Sequence, residues 1–254
     1  MKIAVCVKHA VDETELRVDS SGRPQVDGAA AKMSTFDKNA VEEALRLKSA
    51  HSGEVAAFTV GAPDSRKTLK EALAMGADRG VLVLADTSAL DTLKTASLLS
   101  SAIQKNGPFD IVLCSEGSSD TYTGQVPPTL AELSGLPYVG YARKLDISGN
   151  MVKAERSLED SVEVVEASLP LVVSVVSEIN EPRYPTLIQI MQASKKPIEE
   201  LSEGQLAAIA PPNPPQVVSM VAQTSNRRHM IIEGSPDEAA AKLIAELEKE
   251  GVLR

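Results

Sequence analysis

The sequence has no tryptophan, and its three phenylalanines and four tyrosines amount to 3% of the chain. A core must therefore come from aliphatic side chains. Hydrophobic content of 43% over 254 residues is enough for one large domain, or one domain with an appendage. Cysteine is scarce too. Cys6 and Cys114 stand alone with no CxxC, which argues against metal or redox-pair chemistry and for two small buried hydrophobes. Histidine is limited to His9, His51 and His229, and none of them lies at a metal-ligand spacing. Positive charge is not in excess. A formal net charge of −9 argues against a nucleic-acid partner, which would call for a basic face. No long apolar run opens the chain. "MKIAVCVKHA" is too short for a signal peptide or a membrane span. It reads as the first strand of a cytoplasmic protein with no direct membrane insertion.

The strong nucleotide and catalytic motifs are missing as well. No G-x-G-x-x-G follows the first strand, and there is no G-x-x-x-x-G-K-[ST]; "VGAPDSRK" lacks that spacing. A Ser-His-Asp site would need Ser118 or Ser119 with His9, and no G-x-S-x-G elbow frames either serine.

What the chain does contain is alternation. Apolar runs at 2–8, 54–61, 79–85 and 109–115 read as strands. Helical patterns separate them at 36–51, 64–77 and 90–107, and a fourth helix includes 127–135. Ser34 and Asp37 form a near capping box, S-x-x-D, at the start of the first helix, and Gly76 ends the second. Residues 17–28, with Ser-Gly and Arg-Pro punctuation, read as a hairpin excursion. Continuous Val, Ile and Leu runs between helices imply an α/β fold: an open, mostly parallel, doubly wound, Rossmann-like sheet covered on both faces. Strand-like segments over 151–178 have no helix between them and read as an added antiparallel hairpin. From about residue 180 domain character fades. "APPNPP" marks an extended C-terminal arm, and 235–251 is an amphipathic helix capped by Ser235 with Pro236 at its first position. Its stripe of Ala239, Leu243, Ile244 and Leu247 must bury itself on a partner or on its own domain.

In an open parallel sheet, ligands bind beyond the carboxyl ends of the strands, where strand order reverses. The loops after the first and fourth strands are "KHAVD", beginning at Lys8, and "SEGSSDTYTGQVP", residues 115–127. The second loop offers hydroxyls from Ser118, Ser119, Thr121 and Thr123, the carboxamide of Gln125 and the N–H of Gly124. A helix N-terminus follows, which favours an anion. This loop is expected to be a phosphate and ribose cradle of neutral donors; an ordinary polar loop is the plainer alternative.

Several stretches, in this order, resemble the β subunit of electron transfer flavoprotein, including its FixA-type chains. They are "VCVKHAVD", "MSTFDKNAVEEALRLK", "TLKEALAMGADRG", "SSDTYTGQVPPTLAE" and "NEPRYPTLIQIMQASKK". The family's signature region resembles residues 154–174, with Arg156, Glu159, Asp160, Glu163, Val165 and Pro170 at matching spacing and departures at Ser161 and Ser174. The resemblance implies a heterodimer whose α subunit holds a redox-active FAD. It also implies an adenine-nucleotide site in this chain, occupied by AMP or, in electron-bifurcating members, by a second FAD. The candidate cofactor-binding residues that follow begin with Cys6, Lys8, Ser34, Thr35, Phe36, Asp37 and Val60. They continue through Ser115, Glu116, Ser118, Ser119, Asp120, Thr121, Tyr122, Thr123, Gly124, Gln125 and Val126. "DTYTGQVPP" is nearer the bifurcating pattern, whereas Ser34-Thr35 and Glu116-Gly117 depart from frequent family residues.

The resemblance divides the chain into a nucleotide-binding domain, 1–182, a partner-recognition segment, 183–197, and an arm, 198–254, packing on the α subunit. In the recognition segment Leu187, Ile190 and Met191 share one helical face. Leu187 would anchor in a partner dehydrogenase of the acyl-CoA dehydrogenase type, or in a quinone oxidoreductase, with Lys195 and Lys196 at an acidic rim. The plainer reading is a core-facing turn of helix. A universal-stress-type nucleotide sensor would share the sheet but would not need the arm. An ATP-pyrophosphatase-type enzyme would want S-G-G-x-D-S after the first strand, which is absent.

Overall fold

A computed structural model describes residues 1–26, 28–207, 209, 217–222 and 229–253. It comprises two compact units, Met1–Met220 and Val221–Arg254. The strands are β1 (Lys2–Cys6), β2 (His9–Val11), β3 (Arg17–Val18), β4 (Pro24–Gln25), β5 (Ala31–Met33), β6 (Glu54–Gly61), β7 (Arg79–Leu84), β8 (Ile111–Ser115), β9 (Tyr138–Ser148), β10 (Met151–Ser157), β11 (Val162–Ser168), β12 (Leu171–Val175) and β13 (Ile198–Ser202). The helices are α1 (Thr35–His51), α2 (Arg66–Met75), α3 (Thr92–Asn106), α4 (Val126–Ser134), α5 (Leu187–Ala193) and α6 (Pro236–Lys249).

The large sheet has the order β11-β10-β9-β12-β8-β1-β6-β7-β13. Pairing is parallel from β9 through to β13 and antiparallel across β9-β10 and β10-β11. The chain steps from β1 to β6 and β7 on one side, then crosses back so that β8 lies on the other side of β1. Strand order therefore reverses between β1 and β8.

Side chains in the parallel strands alternate between two cores. Ile3, Val5, Ile111, Leu113, Leu171 and Val173 pack under α1 and α2 with Val41, Leu45, Leu69 and Leu73. Ala4, Cys6, Phe58, Val112, Cys114 and Val172 pack under α3 and α4 with Leu98, Leu99 and Leu130. Covering both faces explains why these strands read as unbroken apolar runs. Of the seven aromatic residues only Phe58 is fully buried. It meets Phe109 edge-on, with ring centroids 5.6 Å apart. The Arg79 guanidinium sits 5.7 Å from the Phe109 centroid.

Three local readings are corrected by pairing at long range. A strand begins already at Tyr138, thirteen residues before the segment assigned as strand-like from 151. β12 leaves the hairpin and enters the sheet interior, parallel between β8 and β9. Residues 198–202, taken as the beginning of the arm, are the edge strand β13, paired with β7. Only Leu201 of β13 is buried, so the strand is held mainly by backbone hydrogen bonds and carries little hydrophobic signal. In the second unit α6 has the expected cap: Ser235 and Glu238 form a reciprocal capping box. The proline run at 211–215 lies outside the described residues.

With so few aromatics, the lower core depends heavily on one ring. Phe58→Ala is expected to cost about 3–5 kcal/mol. Urea unfolding would report this as a lower midpoint with an unchanged slope; an unaltered midpoint would mean that the site collapses without a cavity.

Candidate functional site

The carboxyl ends of β1 and β8 open onto a crevice walled by three segments: the loop from Lys8, the start of α1, and the loop after Ser115. Asp37, in the first turn of α1, joins all three. Its Oδ2 accepts the backbone N–H of Lys8 at 2.6 Å. Its Oδ1 meets the hydroxyl of Ser115, whose Oγ also lies 2.8 Å from the carbonyl of Gly117. A hydroxyl has one proton, and both partners are oxygen acceptors when Asp37 is ionised. The single hydroxyl proton of Ser115 therefore serves two acceptors, the Asp37 carboxyl and the Gly117 carbonyl. Burial pushes the Asp37 carboxyl up to about 7, against the hydrogen bonds from Ser115 and Lys8 and the Lys8 charge.

The S-x-x-D pattern at Ser34 therefore has a different use from the one its spacing suggests. α1 starts where expected, yet Ser34 makes no side-chain cap. Its hydroxyl accepts the N–H of Ser119 at 3.2 Å. Both side chains of the near capping box pin the loop after β8 to the helix.

Lys8 changes the chemistry of that loop. Its Nζ reaches across to Asp120 Oδ1 at 2.7 Å and to Ser118 Oγ and Thr121 Oγ1 at 3.3 Å each. The same Asp120 oxygen accepts the Ser118 hydroxyl at 2.6 Å and the Thr121 N–H at 2.7 Å. Burial would raise the Asp120 carboxyl, but bonds from Lys8 and Ser118 outweigh it and hold it below the usual range. The cradle is thus not neutral, because a cation half-exposed to solvent stands in it. The helix behind it also contributes less than expected. Pro127 and Pro128 occupy the first turn of α4 and supply no N–H, and Gln125 makes no side-chain cap. The backbone donors that remain are Thr123, Gly124, Gln125 and Val126, whose N–H groups have no acceptor among the described residues. Gly124 reaches this geometry at φ 65°, a conformation that favours glycine. The buried Oγ of Ser119 likewise has no partner among the described residues.

Aromatic rings gather at the same place. Phe36 and Tyr122 lie 5.4 Å apart. Tyr122 packs over Gly117, where a Cβ would come within 2.7 Å of its ring. The Tyr122 hydroxyl and the Ser177 N–H serve Glu116, whose carboxyl burial nevertheless raises. Tyr141 holds φ at 58° and its hydroxyl approaches Gly124. Tyr141 is the residue that motif reading missed. In a chain this poor in aromatics, three rings at one crevice is a signal that composition alone could have raised. Cys6 and Cys114 lie at the crevice floor, both buried. Cys6, as acceptor for the Cys114 S–H, together with burial, pushes the Cys114 thiol up, so it stays protonated. Val60 is half-buried at the end of β6.

His9 lies apart from the loop serines, with Nδ1 2.9 Å from Thr68 Oγ1, which removes the triad. No metal-holding group of His, Cys, Asp and Glu occurs among the described residues, and no described helix is long and apolar enough to cross a membrane.

The second region is α5. Leu187 and Met191 are 74% and 66% exposed, and Ile188 and Ile190 are exposed as well. A core-facing turn is therefore ruled out. Thr186 and Gln189 form a capping box at its start. Of the two lysines that follow, Lys196 is not at a rim. It donates to the carbonyls of Leu73 and Ala77 at 2.9 and 2.6 Å, closing the C-terminal end of α2.

The described residues thus form a doubly wound α/β sheet with a donor-rich crevice at its switch point and an exposed apolar helix. The family can be stated. Residues 26–206 match the model of the electron transfer flavoprotein domain. The chain is 35% identical to the electron transfer flavoprotein subunit beta of Bacillus subtilis, with 98% of each chain covered. It is 34% identical to the subunit of that name from Thermoanaerobacterium thermosaccharolyticum over the whole of both chains. It is 33% identical to the one from Clostridium acetobutylicum, over 98% of this chain and 99% of the other. The chain belongs to the electron transfer flavoprotein family.

Asp37 ties stability to pH. Its carboxyl titrates near 3.8 when free and at about 7 when folded, so the folded state holds the extra proton between those values. That stabilisation is complete below the lower value and is lost as pH rises through the upper one. Asp37→Asn keeps a donor toward Ser115 and an acceptor for Lys8. The melting temperature of the parent should fall from pH 5 to pH 8, and the variant should show a flatter profile and melt higher at pH 8. Parallel profiles would place the proton elsewhere.

Proposed function

We propose that this chain is the β subunit of a heterodimeric, cytoplasmic electron transfer flavoprotein: an electron carrier rather than a catalyst, paired with an α subunit that holds the redox-active FAD. The reading is carried by the likeness over 98–100% of this chain to three relatives named as that subunit. The crevice between β1 and β8 takes an adenine nucleotide, FAD or AMP. What supports this is the donor set: the Lys8 cation, the free N–H groups from Thr123 to Val126, and the unpartnered Ser119 hydroxyl. Lys8 and the N–H run hold phosphates, and hydroxyls of the same loop hold ribose. Phe36, Tyr122 and Tyr141 offer ring faces to a planar heterocycle and keep water from it. A bound flavin supplies electron storage, and the protein supplies position and surroundings.

The exposed face of α5 docks the electron-donating dehydrogenase or a quinone oxidoreductase, with Leu187 as its anchor. The arm, with α6, covers its apolar stripe on the α subunit.

Two measurements test these assignments. Nucleotide released from the denatured heterodimer is expected to have the mass of FAD or AMP. Asp120→Ala with Gln125→Ala should lower its amount; full retention in the double variant would remove this crevice from consideration. Truncating a buried anchor costs roughly 2 kcal/mol or more. Leu187→Ala should therefore slow electron transfer from the dehydrogenase about tenfold or more at limiting carrier, with folding and nucleotide content unchanged. A lower melting temperature with normal transfer would make Leu187 a structural residue.

A further inference from the structure

α5 is a short helix that lies against α2. Ala193 is its one buried residue, and Leu187, Ile188, Ile190 and Met191 project from it. Seven residues do not make a stable helix alone, and a local capping box does not set where the helix points. α2 supports one side, and the segments at the two ends of α5 complete the mounting. The C-terminal end is set by Lys196 on α2 and by β13 in the sheet. The N-terminal end is set by 180–183, and those residues are fastened to α1.

The fastening is specific. Arg183 donates through Nε to Glu42 Oε2 at 2.7 Å and through Nη2 to Oε1 at 2.9 Å. Its backbone N–H reaches the same carboxylate at 3.2 Å. Asn180 Nδ2 donates to the Asn39 carbonyl at 3.1 Å and to Glu43 Oε2 at 3.0 Å. Asn39 Nδ2 returns bonds to the carbonyls of Asn180 at 2.8 Å and Ser177 at 3.0 Å. Glu42 is only 4% exposed. Burial alone would raise its carboxyl, and the Arg183 bonds overturn that and hold it below the usual range. The Arg183 side chain is 44% exposed, and an ion pair open to solvent on one side contributes little net stability. What a two-pronged guanidinium–carboxylate contact supplies is direction, because both planes are fixed at once. The helix used as the base is also the one whose first turn, at Ser34 and Asp37, walls the crevice.

We infer that Arg183, clamped by Glu42, is a positioning residue for partner docking. It fixes the segment leading into α5 against α1, so that the apolar docking face keeps a set orientation to the crevice at the N-terminal end of the same helix. The inference rests on the docking reading of α5, and its test is separable from that reading. The full heterodimer is assayed with an acyl-CoA dehydrogenase that reduces the parent protein, and KM for the carrier and kcat are followed apart. Arg183→Ala should raise KM about tenfold with kcat and bound nucleotide little changed. Removing one charge also leaves Glu42 stranded, so the double variant Glu42→Met with Arg183→Met provides the control for stability. It should recover the parent melting temperature while keeping the raised KM, and Arg183→Lys should recover KM only in part. If the double variant regains both melting temperature and KM, the pair is structural only and the inference fails. Leu187→Ala decides the reading beneath it. A raised KM there with parent KM in both Arg183 variants overturns the clamp alone. Parent KM in Leu187→Ala overturns docking through α5, and the clamp with it.

Discussion

Asp37 is the group on which the crevice depends. The carboxyl sits in the first turn of α1 and reaches the backbone of Lys8 after β1 and the hydroxyl of Ser115 at the end of β8. Ser115 is 78 residues further along the chain. Adjacent parallel strands bring their carboxyl ends together but do not control the loops beyond them. One buried acid does so here, at a position where burial raises its carboxyl to about 7. A permanently ionised group would pay a large desolvation penalty in that place. With the acid in place, Lys8 is aimed at Asp120 and the loop after Ser115 is pulled onto the helix, leaving the N–H run from Thr123 to Val126 unbonded.

The shortage of aromatics acts on the fold and on the crevice alike. An aliphatic sheet buried on both faces builds a dense core from branched side chains, with Phe58 as its single fully buried ring. Phe36, Tyr122 and Tyr141 are released from core duty and stand together at the strand ends. Tyr122 and Tyr141 hold positive φ values of 45° and 58°, which are uncommon for bulky residues. Such conformations persist where the surroundings over-determine them, and they concentrate at binding sites.

The apolar face of α5 follows a second logic. Four large hydrophobic side chains on a seven-residue helix would collapse inward if their mounting were loose. Hydrogen bonds to α1 at one end and to α2 at the other keep them outside. The molecule therefore uses polar contacts to hold hydrophobic groups in water, the reverse of ordinary core construction.

Unbroken apolar runs and period-three-to-four patterning made the strands and helices of the parallel region legible from the amino-acid order alone. The same order located the switch point at the ends of the first and fourth strands, since Ile3, Val5, Ile111 and Leu113 belong to apolar runs that only a doubly covered sheet accommodates. Family membership was legible too, from several motifs in fixed order. Tertiary structure alone decided the partners of polar side chains. Ser34 and Asp37 have a capping spacing, yet they bond to Ser119, Lys8 and Ser115. Lys196 looks like a surface charge, yet it closes α2. Lys8 is a candidate from its place after the first strand, yet its partner Asp120, 112 residues away, is set by the fold. β12 and β13 took their places through backbone pairing that leaves little trace in residue type. The division has one cause: burial of apolar side chains repeats with the period of the local backbone and is written along the chain. A polar group's partner depends on which distant segments the fold brings within about 3 Å of it, and nothing local records that.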